Sequence, residues 1–220
     1  MTGLNFKGED FGIGNFNMSK IAFSMIFTGE NDEPLRLQKL VEGFSPYIDG
    51  FFVTLTKNKK MLPKLRKLCP TVNFSYIQPI IGVTDEMVMW VKDTLKYEPF
   101  IKAGDEIFLF DEARNFNFAQ IPKEYEWILW LDIDDTFRGG EYIRNLIEET
   151  EKQNAGAIYL NYLYHVEIDA SHNITKIITQ NPRERFVRNG LFTWRGSIHE
   201  ILVENQPIYK VYNGECDVVH

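Results

Sequence analysis

Short apolar runs alternate with stretches whose apolar positions recur every three or four residues. Residues 21–27 (IAFSMIF), 51–55 (FFVTL) and 72–77 read as buried strands because they are short, apolar and bounded by polar or turn-forming residues. Between the first two, Leu37, Leu40, Val41 and Phe44 share one helical face, with Asp32 as candidate N-cap and Pro34 in the first turn. Leu62, Leu65 and Leu68 predict a short basic helix over residues 59–68, closed by Pro70. Helices are also predicted over 85–97, with Met87, Trp90, Val91 and Leu95 inward, and within 110–120, where Ala113 permits close packing. Residues 127–131 form the next strand. Gly139 and Gly140 then break the chain before a helix bearing Tyr142, Ile143, Leu146 and Ile147. Residues 157–164 and 184–188, the region of Val203, and residues 208–212 complete the strands.

Strands alternating with helices in the first half imply right-handed βαβ units and a mainly parallel sheet. The strand-rich second half adds a smaller mixed β portion. The chain of 220 residues suits one α/β domain over residues 20–220, preceded by an arm or leader at 1–19 that is rich in Gly and Asn and lacks a secretory apolar core. The chain ends at Val218-Val219-His220 straight after an apolar pair, the pattern of a chain that stops early, by nature or by truncation.

Composition narrows the classes. Hydrophobic content of 44% and aromatic content of 14% belong to a packed core. A net charge of -7 without a long basic stretch argues against nucleic acid as partner. No apolar stretch is long enough for a membrane span. Cys69 and Cys216 have neither metal-ligand nor disulfide-framework spacing, so a reduced, cytoplasmic setting is expected. Three Asn-x-Ser/Thr triplets, at Asn17, Asn73 and Asn173, carry little weight without a secretion signal. The first strand is followed by neither a Gly-rich dinucleotide fingerprint nor a P-loop.

The candidate chemistry lies at the end of the 127–131 strand, in Asp132-Ile133-Asp134-Asp135. On an extended chain Asp132 and Asp134 share a face. Crowded carboxylates raise one another's pKa unless a cation joins them. At the carboxyl end of a sheet strand that cation is a divalent metal carrying phosphate. The plainer reading is a strand entering an acidic turn.

Four segments, in order, resemble family 2 glycosyltransferases: Glu30-Asn31-Asp32-Glu33 after the first strand, Ala113-Arg114-Asn115 on a helix, Asp132-Ile133-Asp134-Asp135, and Trp194-Arg195-Gly196-Ser197-Ile198-His199-Glu200. His220 matches a closing His of that pattern. The resemblance covers about residues 20–220 and implies a GT-A-like nucleotide-sugar-binding fold. It implies metal-dependent, inverting transfer of a sugar from a nucleotide-sugar, UDP-sugar first, to a carbohydrate, lipid-linked or protein acceptor. One departure is the second strand: Val53-Thr54-Leu55-Thr56 replaces the family's Asp near base and ribose. The end at His220 also omits a segment that forms an acceptor-side lid in the family.

The resemblance assigns Asp134 and His220 to Mn²⁺ or Mg²⁺. Thr28, Glu30, Thr54, Arg114, Asp132 and Asp135 fall on the donor side, with Asp132 toward the ribose or a metal-bound water. Trp194 becomes an acceptor wall, Glu200 the general base, and His199 a pocket or phosphate contact and second candidate base. Each has a plainer reading: Arg114 in a surface ion pair with Asp111 or Glu112, Trp194 in the core, His199 a core histidine, Glu200 a solvated strand residue and His220 a free terminus. Asn115 is expected to bond backbone near the acid strand. Arg183, Arg185, Arg188 and Arg195 cluster in sequence, and one or two of them could meet phosphate, the rest forming a solvated face. Two alternatives stand beside sugar transfer: a nucleotidyltransferase, and a non-catalytic nucleotide- or sugar-binding module.

Overall fold

The computed structural model describes residues 18–95, 101–171, 173–197 and 199–220. In chain order the elements are β1 (Lys20–Phe27), α1 (Glu33–Phe44), β2 (Gly50–Leu55), α2 (Leu62–Leu68), β3 (Val72–Tyr76), β4 (Ile80–Gly82), α3 (Asp85–Leu95), β5 (Glu106–Phe108), α4 (Phe110–Ala119) and β6 (Tyr125–Trp130). They continue with β7 (Thr136–Arg138), α5 (Ile143–Lys152), β8 (Ala157–Ile168), β9 (Ile174–Arg188), β10 (Phe192–Arg195), β11 (Ile201–Glu204) and β12 (Lys210–Val219). The expected N-terminal arm lies outside the described residues except for Met18 and Ser19, as do the last two residues of the helix expected over 85–97.

The architecture is α/β, as the sequence predicts. Eight strands form one sheet in the order β3-β2-β1-β6-β9-β8-β12-β7. β3, β2, β1 and β6 run parallel. β9 is antiparallel to β6 and β8, β12 is parallel to β8, and β7 is antiparallel to β12. Two small antiparallel pairs, β4–β5 and β10–β11, flank the sheet.

The period-2 alternation of β1 and β6 divides the core. Ile21, Phe23, Met25 and Phe27, with Trp127, Leu129 and Leu131, pack on one face with Leu37, Val41 and Phe44 of α1, Leu65 of α2 and Ile143, Leu146 and Ile147 of α5. Ala22, Ile128 and Trp130 face the other side, where Phe118 of α4 and Phe192, Trp194 and Leu202 of the β10–β11 pair cover them.

Asn117 of α4 ties that second layer down. Its amide donates to the Met25 and Phe52 carbonyls (3.2 and 3.1 Å) and to Thr54 Oγ1 (2.8 Å), and its oxygen accepts from Ser24 Oγ (2.5 Å). Ser24 and Asn117 are polar residues in the core that satisfy each other, which is what burial of such groups requires.

Several strands differ from expectation. β9 is fifteen residues long rather than the expected 184–188, because most of its residues are exposed and lack an apolar signature. β12 runs on to Val219 instead of stopping at residue 212. β4, β5, β7 and β10 are too short to leave a pattern. The strand expected over 127–131 ends one residue earlier. Asp132 and Asp134 therefore do not share an extended face: the Asp135 N–H donates to the Asp132 carbonyl (3.1 Å), closing a turn. Among the described residues no helix is long and apolar enough to cross a membrane.

Candidate active site

β1 is where the sheet changes direction: β2 and β3 lie on one side and β6 on the other. Open α/β sheets leave a crevice at such a point, outside the carboxyl ends of the strands. The segment after β1 (Thr28) and that after β6 (residues 131–135) both leave from this edge. The chain departs from β6 in mid-sheet and rejoins as β7 beyond β12, so the acid turn crosses the strands between. This crossing brings together residues that the sequence separates widely.

Asp135 is buried at the centre of the crossing. Its Oδ2 pairs with Arg185 of β9 (3.1 Å) and accepts from the Asp132 N–H (3.1 Å). Its Oδ1 accepts from the Tyr162 hydroxyl of β8 (3.3 Å) and lies 3.4 Å from His220 Nδ1. Burial pushes the Asp135 carboxyl above the ordinary carboxylate range, helped by the neighbouring Asp132 charge and opposed by Arg185. Burial, chiefly, also raises the Tyr162 phenol.

β12 delivers His220 to the same place. The His220 N–H donates to the Leu163 carbonyl (3.2 Å), and its ring stacks on Tyr164 at 5.2 Å. Asp134 is exposed at the outer end of the turn. Ligand atoms of Asp134, Asp135 and His220 all lie within 4.8 Å of one another. Two carboxylate oxygens and an imidazole nitrogen suit a divalent cation, and the solvated side at Asp134 leaves room for further oxygen ligands.

Arg114 organises the other half of the site. Its Nη2 donates to Asp132 Oδ1 and its Nε to Glu200 Oε1, each at 2.7 Å. The guanidinium lies over Trp194 (4.7 Å) and Trp130 (5.2 Å), and the side chain is 9% exposed. Burial alone would lower the Arg114 pKa, but the charges of Asp132 and Glu200 outweigh it and raise it. Asp132 is held below the ordinary carboxylate range: burial opposes this, and the Arg114 charge and hydrogen bond overcome it.

A cleft of about 300 Å³ opens in front of these groups, lined in part by Thr28, Thr56, Phe108, Phe110, Arg114, Asp132, Asp134 and His220. Phe108 and Phe110 meet edge to face at 4.8 Å. A neighbouring cavity of about 330 Å³ shares Thr28, Thr56 and both phenylalanines. The loop after β1 is fixed by Glu33, whose Oε2 accepts from Thr28 Oγ1, Gly29 N and Glu30 N. Gly29 has φ 78°, a left-handed conformation in which a larger residue is strained, and a Cβ there would also press on the end of the Leu55 side chain at 2.5 Å.

The expected site residues thus fall into two groups. Thr28, Arg114, Asp132, Asp134 and His220 line one cleft, with Asp135 directly behind them. Glu200 and His199 line a smaller cavity beside it. Thr54, Trp194 and Glu30 are placed differently. Thr54 is fully buried between Ser75 and Asn117, and Thr56 reaches the cleft in its stead. Trp194 is 2% exposed and packed against Trp130 and Phe118, so it offers no acceptor face. Glu30 is turned to Lys57 (3.1 Å).

Asn115 bonds the backbone of Trp194, not the acid strand. Asp132, expected to face ribose or a metal-bound water, is engaged by Arg114, and the close carboxylates are the adjacent pair Asp134 and Asp135 rather than Asp132 and Asp134. Tyr162 and Tyr164 were not expected in the site; Arg185 was foreseen only as one of four clustered arginines, and Glu33 only as part of the segment after the first strand.

No model of a known protein family matches the chain, and no curated protein matches it. Solved structures similar to it include a 4-diphosphocytidyl-2C-methyl-D-erythritol synthase at 14% identity and TM-score 0.45, covering 79% of this chain and 76% of that one. A synthase of the same name from Anaerococcus prevotii DSM 20548 is 11% identical with TM-score 0.36, covering 80% and 74%. HddC from Yersinia pseudotuberculosis is 9% identical with TM-score 0.38, covering 91% and 92%. The expectation of sugar transfer by a family 2 glycosyltransferase is corrected on these findings. No family model supports it, and two of the named structures are diphosphocytidyl-methylerythritol synthases. Likenesses of this strength leave the reaction to be argued from the site itself.

Proposed function

We propose that the chain is a metal-dependent nucleotidyltransferase. It joins a nucleoside monophosphate unit, taken from a nucleoside triphosphate, to an acceptor that carries an anionic oxygen. The observation behind this reading is the division of labour among the carboxylates. Asp134 and Asp135 stand with His220 as a cation-binding set at the cleft. Glu200, the carboxylate expected to serve as base, is bound to Arg114 at 2.7 Å. An acceptor hydroxyl needs a base to remove its proton. An acceptor phosphate oxygen is already ionised and needs none.

In this reading the base lies against the Phe108–Phe110 wall, where stacking on an aromatic face suits any nucleobase. Thr28 and Thr56 offer hydroxyls to the ribose. The triphosphate runs toward the acid turn. Asp134, Asp135 and His220 would hold Mn²⁺ or Mg²⁺, and the imidazole would favour Mn²⁺. When bound, the cation neutralises charge on the phosphates and on the departing pyrophosphate. Arg114 neutralises the Asp132 carboxylate at the edge of the cleft. The acceptor oxygen forms a bond to the α-phosphorus. The bond from that phosphorus to the oxygen bridging to the β-phosphate breaks, and its electrons leave with pyrophosphate. Such substrates, with the free buried Cys69 and Cys216, fit a cytoplasmic setting.

Product analysis tests this. The protein is incubated with each nucleoside triphosphate, Mn²⁺ and a panel of phosphorylated and carboxylated acceptors, and pyrophosphate is measured. Pyrophosphate should form with one acceptor class and fall about 100-fold in Asp134→Ala, the scale of losing a principal electrostatic stabiliser. Metal-dependent nucleotide binding with no pyrophosphate from any acceptor would favour the binding-module alternative instead.

A further inference from the structure

Beside the cleft, and sharing Arg114 and Asp132 with it, lies a second cavity of about 200 Å³. Three guanidinium groups gather here around one indole. Arg185, Arg114 and Arg183 lie 4.1, 5.2 and 5.7 Å from the centre of the Trp130 ring, and Arg185 is also 4.4 Å from the Tyr162 ring. Like charges so close repel one another unless anions join them.

The carboxylates are already assigned. Asp132 and Glu200 go to Arg114, and Asp135 goes to Arg185. Arg183 has no carboxylate partner among the described residues, and its charge bears unfavourably on Arg185.

Two buried donors point the same way. Arg185, 1% exposed, leaves its Nε–H without a hydrogen-bond partner, and Trp130, 2% exposed, leaves its Nε1–H unpaired. Buried donors are almost always satisfied, and for two that belong to residues lining one cavity an acceptor entering that cavity accounts for both; the Trp194 Nε1–H is also unpaired but does not line it. A guanidinium fork and an indole N–H are donors only. The missing partner therefore brings lone pairs, and beside the unpaired Arg183 guanidinium an anionic oxygen is the strongest acceptor. A phosphate group supplies several oxygens in a geometry that guanidinium forks match. The cavity has room for it: a water takes about 30 Å³ of liquid volume.

We infer that this cavity is an anion subsite that seats a phosphate monoester of the acceptor, held by Arg183 and Arg185 beside Trp130. The inference rests on the transferase reading for its role, since a phosphate seated here adjoins the cleft where the α-phosphorus would be attacked. It names the acceptor class: a phosphorylated small molecule rather than a neutral sugar, lipid or unmodified protein.

The test uses inorganic phosphate and phenyl phosphate, titrated by calorimetry into the whole protein without metal or nucleotide. Arg183 is only half-buried, so Arg183→Gln should fold, which circular dichroism checks; Arg185→Gln is avoided because it strips the buried Asp135 of its cation. Both probes should bind saturably to the wild type. Binding should weaken about tenfold in Arg183→Gln, the loss of one charge-assisted hydrogen bond. Arg183→Lys should recover part of it. Equal affinity in wild type and Arg183→Gln, or no binding to the wild type, overturns the subsite. If the subsite fails while pyrophosphate release persists, only this inference falls. If Arg183-dependent phosphate binding persists without any pyrophosphate release, the transferase reading falls and the subsite stands.

Discussion

The three aspartates of the acid turn have the same side chain and three different environments. Asp132 is salt-bridged to Arg114, Asp135 is buried against Arg185, and Asp134 faces solvent. Their titrations accordingly oppose one another. The Asp132 carboxyl is lowered in the folded state, so it contributes stability above its ordinary value of 3.8, lost as pH falls through the lower folded value. Asp135, raised in the fold, acts in the opposite sense: its contribution falls away as pH rises from 3.8 through its raised value. Asp132→Asn should therefore lower the urea midpoint in the neutral region and change it least at low pH, which flattens the acid limb of a plot of midpoint against pH. An unchanged acid limb would mean that the Arg114–Asp132 pair does not persist in solution. From sequence, the acid turn was visible as a cluster, but the roles within it were not. An extended reading paired Asp132 with Asp134, whereas the turn closed by the Asp135 N–H pairs Asp134 with Asp135.

α4 is the element on which the site depends. One face carries Arg114 toward the acid turn, and Asn117, one turn on, fastens the helix across β1 and β2. Asn117→Ala removes the partner of Ser24 and leaves the buried Phe52 and Met25 carbonyls with one donor fewer. It should destabilise the fold by about 1–3 kcal/mol, the cost of leaving a buried polar group unpaired, read as a lower denaturant midpoint. It should also weaken nucleotide binding, because Arg114 moves with the helix. Full stability in this variant would show that water or a neighbour replaces the amide. α4 was legible as a helix with Ala113 at a close-packed position, whereas Arg114 and Asn117, which share its buried face, leave no apolar signal. The lengths of β9 and β12 were not legible: exposed residues predominate in β9, β12 carries polar residues within 213–217 between its apolar ends, and both are held by pairing with β8.

At the scale of the molecule, the site is a product of strand order. β1 and β6 are neighbours although α1 to α4 intervene, and His220 reaches Asp135 because β12 lies beside β8. Alternation of apolar runs was enough to read an α/β fold with a parallel first half. It could not say that the chain leaves β6 in mid-sheet and crosses to the far edge, which is what places Arg185, Tyr162 and His220 around one carboxylate. Trp194 belongs to the same lesson: of the acceptor wall implied by the resemblance and the plainer core position, the β10–β11 pair selects the core, folding it against Trp130 and Phe118.

The claim at the centre of the account is that the acid turn holds a cation which in turn holds a nucleotide triphosphate. Calorimetric titration of nucleoside triphosphates into wild type and Asp134→Ala, each with and without Mn²⁺, tests it most directly. The account predicts that Mn²⁺ strengthens binding to the wild type by about tenfold or more and that this gain disappears in Asp134→Ala. Equal affinity with and without Mn²⁺ in the wild type, or a Mn²⁺ gain preserved in the variant, would contradict it.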